Sequence, residues 1–375
     1  MTTERRIERL RAKLEEQDLG GLFVSAPAED IAKTIGANRR YLSGFTGSMG
    51  HLLITREAAY IAVDFRYYEQ AERESPNFML WQANGGMKTW LPELMGASKL
   101  GGKKLGFESQ GITYGMYRSL KTAVDDLPET DRPSLTPTDG FVEGLRVIKE
   151  PDELEALRAA VELGDAAFVN VASKIQPGWT EKDVAWEIER YARENGAEGL
   201  SFPTIVAAGP WCAMPHAQPR DHVIQEGDGV VIDMGVNLNG YMSDLTRTIV
   251  VGKPDDKFKK VYDIVLAAQL TAEELIRTGM TGGEGHMLAH RVIEEAGHGE
   301  DFGHGLGHGV GLQIHESPRV SRASDDVLED GMVITVEPGI YLPGWGGIRI
   351  EDMGYMKDGK YVNFTTAPKL QFTGA

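Results

Sequence analysis

Cysteine is almost missing from this sequence, since in 375 residues it occurs once, as Cys212. A single cysteine excludes an internal disulfide and a cluster of thiolate metal ligands, and it is typical of proteins from a reducing compartment. Nothing else in the sequence pairs with Cys212 as a catalytic partner would. We therefore interpret it as a small packing residue rather than a nucleophile.

Net positive charge and long hydrophobic runs are missing as well. The net charge of −17 argues against nucleic acid or an anionic membrane surface as a partner, since both bind basic faces. No apolar run approaches the roughly 20 residues that cross a bilayer. The N-terminal segment lacks a signal-peptide core and is typical of an amphipathic helix, with Ile7, Leu10 and Leu14 on one stripe. We expect a soluble, cytoplasmic protein.

The chain is long for one hydrophobic core, so two domains are expected. The first third alternates predicted strands and helices, including paired strands at 51–55 and 58–64. A proline-rich stretch at 127–140 follows, and a long helix is predicted to begin near Pro151. We predict an N-terminal α/β domain over 1–140 and a second domain over 141–375.

Two acidic residues stand in an otherwise hydrophobic hairpin, VVIDMGVNLNGYMSDLTRTIVV (230–251). The two ends of this segment have the β-branched, apolar character of strands, and NLNG (237–240) between them is turn-forming. In a hairpin with a two-residue loop, the spacing of Asp233 and Asp244 places both side chains on one face of the sheet. Two carboxylates on one face repel each other, which predicts a cation between them.

The second domain contains an internal repeat. IQPGWT begins at Ile175 and the similar IRTGMT begins at Ile276, an offset of 101 residues. Further on, GDGVVIDMG resembles GMVITVEPG, and this alignment places Glu337 at the position of Asp233. We predict two related halves of helix plus hairpin, each presenting acids, around a curved antiparallel sheet with helices on its outer face.

Further candidate ligands stand in strand-like or glycine-rich segments: His304, His308 and His315, then Glu337, then Glu351. A carboxylate-rich set with imidazole and no thiolate suits a pair of divalent cations bridged by carboxylates. It favours Mn²⁺, Co²⁺ or Fe²⁺, with Zn²⁺ as an alternative. Arg349 lies two residues before Glu351, on the same strand face, and is predicted to hold a carboxylate ligand in place.

Other histidines and glycines carry weaker patterns. His286 and His290 have the spacing of a zinc-binding helix, but HMLAH lacks the glutamate of HExxH, so we interpret both as helix-surface residues. The glycines of 303–311 fit no GxGxxG register, and GASKLGGKK (96–104) departs from a P-loop at its first glycine and at its serine or threonine.

Several stretches resemble the Xaa-Pro peptidases, the prolidase and aminopeptidase P branch of the pita-bread metallopeptidases. In the second domain they are MPHAQP, VIDMGVNLNGYMSDLTRT, GHGLGHGVGLQIHESP, VEPGIY and GIRIEDM. In the first domain, RYLSGFTGSMGHLLIT and VDFRYYEQA resemble a creatinase-like N-terminal domain. The resemblance covers nearly the whole chain. It implies an α+β fold in which a creatinase-like α/β domain precedes a pita-bread catalytic domain with a pseudo-two-fold repeat.

The resemblance implies a role for each matching residue. The implied ligands of two divalent ions per subunit, with manganese favoured, are Asp233, His308, Glu337 and the bridging Asp244 and Glu351. His216 would bind the substrate, His304 would contact its proline side, and His315 would stabilise the tetrahedral intermediate. Glu337 would also shuttle a proton, and Arg349 matches the arginine of the family's motif.

The implied activity is hydrolysis of the Xaa-Pro bond at the N-terminus of short peptides, as an aminopeptidase or a dipeptidase, in a cytoplasmic homodimer. Methionine aminopeptidases lack the N-terminal domain, and creatinase lacks the metal ligands. The lyase that cleaves dimethylsulfoniopropionate has an additional aspartate beside the first ligand, where this chain has Met234. The alternative is a non-peptidase relative, either a metal-dependent lyase or a catalytically silent binding protein.

Overall fold

The computed structural model of the protein describes residues 3–26, 36–369 and 372–373. The chain divides into two compact units, Met1–Arg146 and Val147–Ala375. Among the described residues, no helix combines the length and the apolar character that crossing a bilayer requires.

The N-terminal unit alternates helices and strands along the chain. Its elements are α1 Thr3–Glu16, β1 Gly21–Ala26, α2 Ala37–Ser43, β2 Gly50–Thr55, β3 Ala59–Val63, α3 Tyr68–Glu74, β4 Met79–Gln82, α4 Met87–Ala97, β5 Lys104–Glu108, α5 Tyr114–Asp125, β6 Ser134–Thr138 and α6 Glu143–Arg146. One sheet runs through it in the order β4-β3-β2-β1-β5-β6. The predicted pairing of β2 with β3 is confirmed as antiparallel, whereas β4, β5 and β6 each pair in parallel. The predicted stripe on α1 is also confirmed, because Ile7, Leu10 and Leu14 are buried.

The second unit is built from two helix pairs and many short strands. Its elements are α7 Pro151–Ala172, α8 Glu181–Glu194, β7 Gly199–Leu200, β8 Ile205–Ala208, β9 Gly229–Met234, β10 Val236–Leu238, β11 Tyr241–Met242, β12 Leu245–Val251, α9 Asp256–Leu275, α10 Gly282–Glu295, β13 Gly307–Gly309, β14 Glu316–Val320, β15 Val333–Val336, β16 Gly339–Leu342, β17 Gly346–Arg349, β18 Asp352–Lys357, β19 Lys360–Asn363 and β20 Phe372–Thr373.

Two sheets dominate this unit, with the strand orders β20-β12-β9-β8 and β14-β13-β15-β18-β19. Their described pairs are antiparallel, as predicted, apart from β12 and β20, which run in parallel. A bridge between Thr246 and Glu351 joins the two sheets. Two small sheets, β11-β10-β7 and β16-β17, complete the unit.

The helices cover one face of these sheets. Apolar residues of α7 and α8 pack with β8, β9 and β12, and those of α9 and α10 pack with β15 and β18. Val230, Ile232 and Met234 of β9 belong to the first of these cores. Because side chains alternate along a strand, Asp233 points to the opposite face. The predicted arrangement, with helices outside and acids inside, is therefore confirmed for this strand.

The internal repeat is visible in local geometry. Thr180 and Thr281 each cap the helix that follows, and an acid three residues later returns the hydrogen bond in both cases. The glycines two residues before these caps, Gly178 and Gly279, have φ angles of 97° and 91°. The capped helices, α8 and α10, have 14 residues each. The two halves therefore share the same helix start.

The predicted hairpin is confirmed in its register. Asp233 of β9 pairs with Thr246 of β12, and Leu238 pairs with Tyr241 across a two-residue loop. Asp244 lies two residues before Thr246, so its side chain is on the same face as that of Asp233. The loop residues Asn239 and Gly240 have φ angles of 52° and 81°, as the tightest hairpin turns require.

We expect Gly240→Ala to lower the free energy of unfolding by about 1 kcal/mol, because a side chain at positive φ is strained. Gly199→Ala is the matched control, since Gly199 lies in the same small sheet, has no positive φ, and its nearest non-bonded neighbour would be 3.9 Å from a new Cβ. Urea unfolding followed by circular dichroism measures both. Equal midpoints for the two variants would contradict the turn assignment.

Candidate metal centre

One cavity of about 460 Å³ in the second unit gathers the predicted site residues. All nine of them line it: His216, Asp233, Asp244, His304, His308, His315, Glu337, Arg349 and Glu351. They come from segments up to 135 residues apart in sequence, and each lies in or beside a strand or a connecting loop. The structure thus brings together every residue that the sequence analysis placed in the site, while their individual roles stay predictions.

The acids lie at strand ends in both halves of the repeat. Asp233 is near the end of β9, and Asp244 immediately precedes β12. Glu337 follows β15 directly, and its backbone N–H donates to the carbonyl of Leu306 at 2.7 Å. Glu351 lies between β17 and β18. The backbone therefore fixes the direction of each carboxylate before its side chain is considered.

His308 reaches the acids because β13 lies very close to β15. A Cβ at Gly307 would lie 2.0 Å from the carbonyl oxygen of Thr335, so glycine is required for this approach. The backbone N–H of His308 donates to Thr335 Oγ1 at 3.1 Å. The glycines around His308, which fit no nucleotide-binding pattern, thus have a structural purpose in the site.

Asp244, His308 and Glu351 each offer one ligand atom, and these three atoms lie within 4.8 Å of one another. The Nε2 atom of His308 is 3.5 Å from Asp244 Oδ2 and 3.6 Å from Glu337 Oε1. The Nδ1 atom of His308 lies 3.0 Å from the carbonyl oxygen of Gly309, so Nδ1 carries the proton and Nε2 presents its lone pair to the acids. Burial lowers the pKa of His308 to about 3, with a further contribution from His315. A neutral imidazole of this orientation is a metal ligand.

The carboxyl groups repel one another strongly in this buried space. Burial and the charges of Glu351 and Asp233 raise the pKa of Asp244 well above its usual range. Burial and then Glu351 raise the pKa of Glu337 well above its usual range, and burial followed by Asp233 raises the pKa of Glu351 to about 8. Among the described residues, the buried Oδ1 atom of Asp233 has no hydrogen-bond partner. Divalent cations would satisfy this oxygen and offset the repulsion, so the donor set fits a metal centre.

Arg349 holds the other oxygen of Asp233, as the sequence predicted. Its Nη2 atom donates to Asp233 Oδ2 at 2.5 Å, and its Nε atom donates to Thr246 Oγ1 at 3.1 Å. Thr246 in turn donates from Oγ1 to Glu351 Oε2 at 2.7 Å. One guanidinium thus orients, directly or through a hydroxyl, an acid from each half of the repeat.

His304 is engaged by protein groups at both ring nitrogens. Its Nδ1 atom donates to the carbonyl of Gly305 at 2.7 Å, and its Nε2 atom accepts from the Tyr341 hydroxyl at 2.9 Å. Tyr341 also accepts from Arg349 Nη1 at 2.9 Å. Tyr341 was not among the predicted site residues, although it ends the quoted segment VEPGIY. The predicted contact of His304 with substrate would therefore have to use the face or the carbon edge of the ring.

His216 lies on a loop that is tied down at its base. The fully buried carboxylate of Glu181, at the start of α8, accepts hydrogen bonds from the backbone N–H groups of Ala208 and Arg220 and from the Arg220 guanidinium. Cys212, on the same loop, packs in a small buried cluster, which confirms its interpretation as a packing residue. Glu181 was not predicted, because its contact with Arg220 spans 39 residues and leaves no local pattern.

Arg319 is a further cavity residue that was not predicted from the sequence. It lines the cavity four residues after His315, in the segment HESPR. Among the described residues its guanidinium forms no ion pair, and its side chain is exposed. The cavity thus contains a cation available to an anionic group of a ligand. The signal in the sequence was its position directly after the quoted segment GHGLGHGVGLQIHESP, four residues beyond His315.

The prediction that His286 and His290 are helix-surface residues is wrong. Both are buried, and both rings stack on Phe302, with centroids 5.3 Å and 6.1 Å away. Phe302 in turn meets His304 edge-on at 5.0 Å. The error has a physical reason, since histidine has both an apolar ring face and polar nitrogens. Two histidines on one face of α10 therefore give the same sequence pattern whether that face packs on aromatic rings or faces water.

Two family models match the chain. The model of metallopeptidase family M24 matches residues 155–358, and that of the creatinase/prolidase N-terminal domain matches residues 6–148. Among curated relatives, the uncharacterized peptidase YqhT of Bacillus subtilis is 39% identical over 95% of this chain and 98% of its own length. The Xaa-Pro dipeptidase of Pyrococcus horikoshii is 41% identical over 84% of this chain and 86% of its own length.

Solved structures are similar over almost the whole chain. The Xaa-Pro dipeptidase from Bacillus anthracis has a TM-score of 0.92 and 40% identity, and the match covers 99% of this chain and 100% of that one. The X-Pro aminopeptidase from Thermotoga maritima has a TM-score of 0.88 and 34% identity, with 98% and 100% covered. The predicted two-part α+β architecture is thereby confirmed.

The repulsion in the pocket predicts a distinctive pH dependence for the metal-free protein. A carboxyl whose folded-state pKa is raised contributes stability at low pH, and that stability is lost as the pH rises through the folded-state pKa. For Glu351 this window runs from about pH 4.3 to about pH 8. We therefore expect Glu351→Gln in chelator to become more stable than wild type as the pH rises across the window, and Mn²⁺ to reverse that order by binding wild type more tightly.

Thermal unfolding midpoints of both proteins, measured across this window with chelator and with Mn²⁺, test the expectation. Glu194→Gln is the control, because Glu194 is an exposed partner of Arg190 on α8 and does not line the cavity. Parallel curves for wild type and Glu351→Gln in chelator would show that the carboxylates do not repel as described.

Proposed function

Because the chain belongs to metallopeptidase family M24, we propose that its acidic cavity hydrolyses Xaa-Pro peptide bonds at the N-terminus of short peptides in a metal-dependent reaction. The observation that carries the proposal is the meeting of the Asp244, His308 and Glu351 ligand atoms within 4.8 Å, in a cavity that Asp233 and Glu337 also line. The relatives that match most of the chain include the Xaa-Pro dipeptidases of Pyrococcus horikoshii and Pyrococcus furiosus.

We propose two divalent ions, held by Asp233, Asp244, His308, Glu337 and Glu351. Four carboxylates with raised proton affinity need about four positive charges for balance, which two divalent ions provide. The mainly oxygen ligand set favours Mn²⁺ over softer ions. When bound, such a pair supplies Lewis acidity toward the scissile carbonyl and a nucleophilic water at neutral pH.

Glu337 is suited to move the proton. Its carboxylate accepts a proton from the attacking water and delivers it to the nitrogen of the leaving proline. In the metal-free protein, burial and the charge of Glu351 raise the pKa of the Glu337 carboxyl well above its usual range. It directly follows β15, and its Oε1 atom lies 3.6 Å from Nε2 of His308.

His315 and His216 approach the substrate from the exposed side of the cavity. Burial lowers the pKa of His315, so its imidazole is neutral and keeps one N–H. That N–H can donate to the scissile carbonyl oxygen as negative charge develops there. His216 is exposed on the tied loop 209–220 and can donate to the substrate from the facing wall.

Proline at the leaving side suits the apolar part of the cavity lining. The apolar lining residues include Phe202, Pro203, Ile205, Pro215 and Ile314. A proline ring buries apolar surface there and has no N–H that would need a partner. Arg319 adds a cation at the same cavity, so we propose that the preferred substrate is a dipeptide whose free carboxylate pairs with its guanidinium.

Chelation should abolish hydrolysis of Ala-Pro, and Mn²⁺ should restore it. We expect Glu337→Gln to retain much of the bound metal, because the shape and one oxygen donor survive, yet to lose roughly 10²–10⁴ in kcat, since the amide cannot accept a proton. Glu329→Gln, at an exposed position of the same half, is the control and should keep the wild-type rate. Metal content by mass spectrometry and hydrolysis of Ala-Pro and Ala-Ala are the measurements.

Two outcomes would contradict this assignment. Wild-type cleavage of Ala-Ala as fast as Ala-Pro would preserve the metal site but remove the Xaa-Pro specificity. Bound metal without cleavage of any peptide would favour the lyase or the silent binding protein.

Arg319→Met should raise KM for Ala-Pro roughly tenfold to a hundredfold, because a charge-assisted hydrogen bond to the carboxylate is lost. The same variant should hardly change KM for Ala-Pro amide, which has no carboxylate. Arg322→Met is the matched control, since Arg322 is a nearby exposed cation that does not line the cavity. An equal loss on both substrates would exclude carboxylate pairing and favour longer peptides as substrates.

A further inference from the structure

The two halves of the second unit meet at a seam beneath the candidate metal centre. We define the seam as the contact of β12 with the segment 349–352. The backbone N–H of Glu351 donates to the carbonyl of Thr246 at 3.0 Å, and Thr248 Oγ1 both donates to the carbonyl of Arg349 and accepts from its N–H. On the cavity face, the Thr246 hydroxyl donates to Glu351. The seam therefore sets the distance between the acids of the first half and those of the second.

Arg247 occupies the opposite face of the seam. Its side chain is 1% exposed, and its Nη1 atom donates to the carbonyl of Glu351 at 2.6 Å and to that of Thr246 at 3.0 Å. Its Nη2 atom donates to Asp352 Oδ1 at 2.6 Å. Since side chains alternate along both strands, Arg247 and Asp352 lie directly behind Thr246 and Glu351. One buried guanidinium thus holds the backbone of a candidate ligand from behind.

The chain segment 366–369, here called the tail, closes the same arrangement. Arg247 donates from Nε to the carbonyl of Pro368 at 3.1 Å and from Nη2 to that of Ala367 at 2.7 Å. Lys369 Nζ lies 2.6 Å from Asp352 Oδ2. The Thr366 N–H and hydroxyl both donate to Asp165 on α7, at 2.6 Å and 2.8 Å. The tail therefore encloses Arg247 and supplies a second cation to Asp352.

The planar guanidinium group of Arg247, with its five N–H donors, suits this position. Arg247 makes hydrogen bonds with four backbone carbonyls and one carboxylate at once, and an ammonium group cannot reproduce this planar geometry. A pair of metal ions sharing bridging carboxylates requires a spacing of about 3.5–4 Å between the ions. Small changes at the seam would therefore move the Asp244 side of the site relative to the Glu351 side.

We propose that Arg247, with Asp352 and the tail, is a positioning device that sets the separation of the two acid pairs and so allows a second metal ion to bind beside the first. This inference rests on the proposed dinuclear site. It assigns Arg247 no contact with substrate or with the metal ions, because its side chain lies on the far face of the seam. Substituting Arg247 should therefore change metal binding directly.

Titration with Mn²⁺ alone tests the inference on full-length protein. Mass spectrometry counts the bound ions, and electron paramagnetic resonance distinguishes an exchange-coupled Mn²⁺ pair from isolated Mn²⁺. We expect wild type to bind two coupled ions. Arg247→Lys should keep the first ion, bind the second at least tenfold more weakly, and give the signal of isolated Mn²⁺. Lys369→Met, which removes the cation that the tail supplies to Asp352, should weaken the second ion in the same direction.

Arg220→Lys is the matched control. It also changes an arginine that pairs with a fully buried carboxylate in the same unit, but it lies away from the seam. This variant should keep two coupled ions, which separates a positional effect from general loss of a buried ion pair. Circular dichroism verifies folding of every variant.

The outcomes separate the inference from the proposed function. If wild type binds fewer than two ions, the dinuclear proposal itself is wrong. If wild type binds a coupled pair and folded Arg247→Lys binds the same pair with unchanged affinity, the positioning role is overturned. Should Arg247→Lys not fold, the charge-free double variant Arg247→Met/Asp352→Leu decides, because apolar replacement of a buried ion pair commonly preserves a fold. A coupled pair in that variant would equally overturn the inference.

Discussion

The mutual repulsion of four clustered carboxylates, two of them buried and two half-buried, is the constraint on which the rest of the second unit depends. Asp233, Asp244, Glu337 and Glu351 line one cavity, and burial raises the pKa of each. For Asp244, Glu337 and Glu351, the charge of a neighbouring acid raises the pKa further. Without cations such a cluster opposes folding, since each charge must be removed from water beside three others. The fold can hold the acids there only by fixing them through the backbone and through a few buried cations.

The repeat explains how the backbone does so. Each half contributes one acid near the end of a strand and one acid at the start of the strand that pairs with it, so two similar hairpins deliver four carboxylates to one place. Arg349 then orients Asp233 from within the cavity, and Arg247 holds the seam from behind. These two arginines are almost fully buried, and each contacts groups from both halves. The site therefore depends on the contact between the two halves more than on either half alone.

Much of this arrangement could be predicted from the sequence because it violates local rules. Acids in the middle of β-branched segments, such as Asp233, are unfavourable in a strand unless something compensates them. The spacing of Asp233 and Asp244 settled their common face, and the offset of 101 residues indicated the second half. By contrast, His286 and His290 obey the pattern of an amphipathic helix, and no local feature distinguishes a buried aromatic contact from a solvent-facing one. Glu181 and β20 depend on partners that are distant in sequence, and local sequence patterns do not identify such partners.

Arg247 shows where the limit of such reasoning lies. It stands in LTRTIVV, a strand as apolar as the one that carries Asp233, and so it violates the same rule. Its partner Asp352 directly follows Glu351, so where the two strands meet, Arg247 and Asp352 share one face and Thr246 and Glu351 share the other. Because side chains alternate along a strand, residues on the cavity face of one strand meet those on the cavity face of the other, and the same holds for the opposite face. What the sequence alone does not contain is the register between the two strands, because they are joined by a bridge between sheets and not by a hairpin. Once that register is known, the charges on the back face are accounted for as fully as the ligands on the front.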